Sequence, residues 1–165
     1  MLITVISTLM LMLGYFLMLY SAVGFIQDKR FFSSAPKENL DAIQDKEERF
    51  RGAHAVGWCI ALVALLLFIG AFVLAIWDGA RNGFGALRFF LRFITMLYAM
   101  EIYDILFFDW YLLCHSNFFT HFYPELKGVD RSRFFGYNWK EHIMHFLIYI
   151  PVCAVLALGL GVLLW

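Results

Sequence analysis

The chain has 165 residues, 62% of them hydrophobic, 19% aromatic and only 16% charged. Its mean hydropathy is +0.73, and its formal net charge is zero. A soluble domain carries about 45–50% apolar and about 25% charged residues, so the composition points to one integral membrane domain. The absence of net positive charge argues against a nucleic-acid partner. The three cysteines, Cys59, Cys114 and Cys153, lie in or beside apolar runs with no paired spacing, which excludes a disulfide framework or a CxxC metal motif.

Four apolar runs are long enough to cross a bilayer, which takes about 20 helical residues: about 2–26, 53–77, 89–113 and 143–165. They lack period-two alternation, so strands are not expected. The first run has no basic residue before it and is longer than a signal-peptide core, so it reads as a retained span. The fold class expected is therefore an all-α integral membrane protein. It should be a four-transmembrane-helix bundle with a cytoplasmic amphipathic helix.

That amphipathic helix is expected at about 36–50, after Ser34-Ala35-Pro36, with Leu40, Ile43 and Phe50 at helical spacing among charges. "DGARNGFGAL" is a glycine-rich turn. The third loop, about 114–140, is dense in Phe, Tyr and Trp and reads as a segment at headgroup level. Asn138 and Glu141 have the N-x-x-E spacing of a helix start, which begins the last span near Trp139.

Six basic residues lie in loop one and four in loop three, against Arg81, Arg88 and Arg92 on the other side. The positive-inside rule puts both basic loops in the cytoplasm and both termini outside, in the inner (plasma) membrane. Arg88 and Arg92 are expected to snorkel to the outer headgroups.

The third run contains "EIYDILFFDW", with Glu101, Asp104 and Asp109. An acid at the centre of a span costs about 2.5–3.5 kcal/mol, so such residues are functional-site candidates. At about 100° per residue, Glu101, Asp104 and His115 share a stripe, whereas Asp109 falls on another face. In the fourth run His142, His145 and Tyr149 share a face. The antiparallel direction places Asp104 at the depth of His145 and Tyr149. The expected intramembrane polar cluster is thus Glu101, Asp104, Asp109, His115, His142, His145 and Tyr149.

Several chemistries suit such a cluster. Asp104 (or Glu101) with His142 and His145 is a nitrogen and oxygen set suited to a divalent metal such as Zn, Mn or Fe. The same groups suit proton handling. Arg131, Arg133 and Lys140 suit a phosphate or carboxylate of membrane lipid. The function classes expected are a metal, proton or lipid-headgroup binding protein, a lipid-modifying enzyme, or an accessory subunit of a homo-oligomer or larger membrane complex.

"EERFRGAHAVGW" lacks the Asn and final Glu of the E-R-x-x-R-A-x-x-N-x-x-E helix of small four-span glutathione- and eicosanoid-handling enzymes, which sets the chain apart from them. Over roughly its last 65 residues it resembles small uncharacterised four-span membrane proteins of Gram-positive bacteria. The resemblance lies in Asp104 with Asp109-Trp110, in Pro124-Glu125, and in His142 or His145 opening the last span. It implies that these positions form one unit and implies no activity.

Overall fold

The computed structural model describes residues 1–28, 46–128 and 134–164. Among them the chain is helical, with no strand. Helix α1 is Leu2–Ser21 and runs on as a π turn, Ala22–Ile26. Helix α2 is Ala53–Arg81. Helix α3 is Ala86–Tyr103 and continues as a π-helical segment, Asp104–His115. A short α4, Phe118–Phe122, leads through a 3-10 turn, Pro124–Leu126, toward α5, Trp139–Leu164.

Three helical stretches, Leu2–Ile26, Ala53–Arg81 and Trp139–Leu164, are long and apolar enough to cross a membrane. The helix that starts at Ala86 is also long. It differs in carrying Arg88, Arg92, Glu101, Asp104 and Asp109. Much of the outer surface of the bundle is apolar, with Leu, Val, Ile and Trp side chains exposed along α2 and α5. Such a surface suits lipid as its solvent.

Small residues let the helices approach. The buried residues of α2 are Ala53, Gly57, Ala61, Ala64, Ala71, Ala75 and Gly79, a stripe with no large side chain. Helix α1 lies along it. A Cβ built on Gly57 would sit 2.8 Å from the Ile26 side chain, and one on Gly79 would sit 2.4 Å from the Phe89 ring. Between helices in lipid, such close packing replaces the hydrophobic drive. Ser21 Oγ adds a hydrogen bond to the Gly57 carbonyl at 2.6 Å. Helix α3 packs against both α1 and α5, which make little contact with one another.

The two ends of the bundle differ. Toward the α2–α3 turn, Leu11, Ala71, Phe89, Phe93, Met96, Cys153 and Ala157 form a dry core. Arg92 is buried there rather than snorkelling: it is 5% exposed. Its Nη2 donates to Asp78 Oδ2 at 2.7 Å and its Nη1 to the Ala75 carbonyl at 2.6 Å. The guanidinium also lies 4.3 Å from the Phe84 ring. Asp78 in the preceding helix supplies the partner that makes burial of the cation affordable. Arg88 stays exposed.

At the other end the aromatic loop folds back onto α1. Val23, Tyr123 and Leu126 are buried together, with Phe118, Phe119 and Phe122 packed around them. These rings cap the bundle. Phe135, Tyr137 and Trp139 do remain exposed. Lys46 Nζ donates to the Phe122 carbonyl at 2.8 Å and pairs with Glu125 at 3.1 Å. Arg49 donates to the Gly24 carbonyl at 3.2 Å. The end of loop one and the start of loop three therefore lie on the same side of the bundle.

Of the surface helix expected at 36–50, residues 36–45 lie outside the described residues. Residues 46–50 are not helical. Glu48 caps α2. Its carboxylate accepts the Gly52 N–H at 3.0 Å and the His54 N–H at 3.3 Å, at the end of a helix where negative charge is favoured. Gly52 makes the turn possible, with φ at 90°.

Candidate functional site

Helices α3 and α5 meet along a polar seam. Glu101, 2% exposed, is its centre. Its Oε1 lies 2.8 Å from His142 Nδ1 and 3.0 Å from His145 Nδ1. Its Oε2 accepts the Tyr149 hydroxyl at 2.9 Å. The other ring nitrogen of His142, Nε2, lies 2.8 Å from Asp109 Oδ2. Asp104 Oδ2 is 3.9 Å from His142 Nδ1, and its carboxylate lies beside Tyr15 of α1.

His142, His145 and Tyr149 converge because they are spaced three and four apart at the start of α5. What they meet is Glu101, one turn deeper than Asp104. Asp104 was expected opposite His145 and Tyr149, and as a metal ligand with the two histidines. The structure gives that position to Glu101 and turns Asp104 toward α1.

Asp109 joins the seam although a regular α-helix would hold it away. Eight residues at about 100° put it roughly 80° from Glu101. From Asp104 the chain follows π geometry, with about 4.4 residues, or roughly 82° each, per turn. Three α steps and five π steps then bring Asp109 back to within about 10° of Glu101. The five-residue spacing is visible in the bonds themselves. Cys114 Sγ donates to the Asp109 carbonyl at 3.1 Å, His115 Nδ1 lies 2.7 Å from the Trp110 carbonyl, and the Ser116 N–H reaches the Tyr111 carbonyl at 2.8 Å.

The same change in winding removes His115 from the stripe. It is exposed, with its ring 4.5 Å from that of Trp110. Of the expected headgroup residues, Arg131 and Arg133 lie outside the described residues, and Lys140 is exposed in the first turn of α5. Tyr15 and the Asp78–Arg92 pair carry interactions that periodicity alone did not single out. The signal for Tyr15 was a polar-tipped side chain within a largely apolar run.

Two features of the seam bear on its chemistry. The ion pairs of these carboxylates among the described residues go only to His142 and His145, so three acids share two imidazoles. Furthermore, Glu101, His142 and His145 offer one ligand atom each, all within 4.8 Å of one another. If His142 carries its single neutral-form proton on Nε2, toward Asp109, its Nδ1 lone pair faces Glu101 Oε1, acceptor against acceptor. That conflict is relieved by a second proton on the ring or by a cation.

The chain matches no protein-family model, no curated protein and no solved structure.

Proposed function

We propose that this is a four-span plasma-membrane protein that holds a divalent metal ion between Glu101, His142 and His145 on the cytoplasmic side. Zinc is the first choice for two imidazoles and a carboxylate. The observation that carries the proposal is the convergence of His142 Nδ1 and His145 Nδ1 on Glu101 Oε1. Tetrahedral zinc sets its ligand atoms about 3.3 Å apart, so an opening of a few tenths of an ångström admits the ion. The surroundings are those of a metal site. Asp109 would fix the tautomer of His142 by taking its Nε2 proton, and Tyr149 would hold the free oxygen of Glu101. The ion also supplies positive charge to a seam whose three acids have no Lys or Arg partner among the described residues.

The spans would be the three apolar helices and the helix beginning at Ala86. Its acids face α5 and α1, which makes them tolerable in a bilayer. The basic-residue bias and the contact between Lys46 and Glu125 support a shared cytoplasmic side for loops one and three.

Metal analysis of the protein purified without chelator, then reloaded with zinc, tests the site. One zinc per chain is expected in the parent, and none in Glu101→Ala or His142→Ala. A folded parent protein that takes up no zinc, manganese or iron would overturn it. In that event the position of His142 between two carboxylates favours a proton-loaded imidazolium in the same seam.

A further inference from the structure

We infer that this centre is hydrolytic, cleaving the carboxylic ester of a bilayer phospholipid with Asp104 as the general base. This rests on the metal site proposed above and adds a reaction and a substrate class to it.

Among the described residues three ligand groups converge, and a zinc ion with three protein ligands keeps a fourth position for water. Asp104 is the polar group placed to serve that position. It lies outside the group of ligand atoms that come within 4.8 Å of one another, yet its Oδ2 is 3.9 Å from His142 Nδ1, close enough to bond a water on the ion. Tyr15 of α1 lies beside Asp104. Glu101 cannot act as the base, because both its oxygens are engaged by His142, His145 and Tyr149.

The opening of the site points to lipid. The α3–α5 seam has two edges. On one, Tyr98 donates to the Phe146 carbonyl at 2.9 Å with the two rings 4.9 Å apart, which closes it. On the helical wheels Asp104 and His145 both fall about 60° to the other edge. That edge opens into the groove between α1 and α5, which make little contact. The His145 side chain is 45% exposed there. Ile148 and Val152, also exposed, continue the same edge of α5 deeper along the helix, a track suited to an acyl chain. His145 lies six residues from the exposed Trp139, roughly 9 Å in at 1.5 Å per residue. That depth is just below the interfacial belt marked by such residues, near the acyl esters. Beyond it lies the apolar core of Phe89, Phe93 and Met96.

The step balances without a further reagent. The water oxygen bonds to the acyl carbon while its proton passes to Asp104. The bond from that carbon to the glycerol oxygen then breaks, and the proton on Asp104 goes to the departing oxygen. The products are a fatty acid and a lysophospholipid, and one water is consumed.

The test uses the full chain, loaded with zinc and reconstituted in vesicles of phosphatidylglycerol and phosphatidylethanolamine, with free fatty acid followed by mass spectrometry. The parent protein should release fatty acid. Asp104→Asn should keep one zinc per chain and release it at least about 100-fold more slowly, the usual loss of a general base. Zinc bound with no release above protein-free vesicles would overturn the hydrolytic inference and leave the metal site standing, as would release of a headgroup phosphate in place of fatty acid. Full activity in Asp104→Asn would remove Asp104 from the role and overturn the inference. Absence of zinc from the folded parent would overturn both proposals.

Discussion

The two ends of the bundle bury charge in opposite ways. At the α2–α3 turn one cation, Arg92, meets one anion, Asp78, and a backbone carbonyl, inside aromatic packing. The charges match one to one, and the pair joins two helices. In the α3–α5 seam Glu101, Asp104 and Asp109 share His142 and His145. There, among the described residues, the acids outnumber their basic partners, and one imidazole nitrogen contacts two of the acids. A buried pair that balances is architecture; a buried cluster that needs a further positive charge is poised to take one up.

Breaking the balanced end should have the largest effect on the fold. Arg92→Met leaves Asp78 without its cation and should cost about 3–5 kcal/mol in unfolding measured in mild detergent. The double change Arg92→Met with Asp78→Leu should recover much of that loss, because no lone charge remains. If the single and double variants are equally unstable, the pair is not what joins α2 to α3.

The unbalanced end should respond in ligand affinity more than in stability. Asp109→Ala removes the carboxylate that orients His142 and should weaken zinc binding about 10–100-fold, read by competition with a chromophoric chelator. Unchanged affinity would show that the π-wound part of α3 does not serve the metal. Removing a neutral interhelical bond is the smaller control. Ser21→Ala takes away the donor to the Gly57 carbonyl and should cost about 0.6 kcal/mol, with zinc binding unaffected.

The smallest effect concerns the cap of α2. The backbone N–H of Gly52, chiefly, and that of His54 hold the Glu48 carboxyl below its ordinary value. A depressed carboxylate contributes stability above its unfolded pKa and loses it as pH falls through the folded one. The parent protein should therefore lose a small advantage over Glu48→Gln as pH drops below about 4. A constant difference across that range would mean the cap does not form.

Much of the candidate site was legible because it rests on α-helical spacing. His142, His145 and Tyr149 share a face in any regular helix that starts near Trp139. The requirement that intramembrane acids find partners pointed to Glu101 and Asp104. What failed was register and winding. A shift of one turn between antiparallel helices exchanges Glu101 for Asp104 opposite the histidines, and apolar periodicity does not set that shift. The π segment admits Asp109 and expels His115. No Pro or Gly in "DILFFDWYLLCH" marks it, since the choice between i+4 and i+5 bonding is made by how the side chains pack.

By itself, then, the sequence determined that the chain is helical and suited to lipid, because those properties are sums over residues and survive any arrangement. It also determined which few polar residues lie within apolar runs, since each must be satisfied wherever backbone and solvent offer nothing. Only the tertiary structure decided their pairing. Arg92 turns inward because Asp78 waits on the preceding helix, the loop aromatics cap α1 because its end presents an apolar surface, and Glu101 takes both imidazoles while Asp104 goes to Tyr15. These are choices among neighbours a few ångströms apart, made by packing between helices distant in sequence, and no local pattern records them.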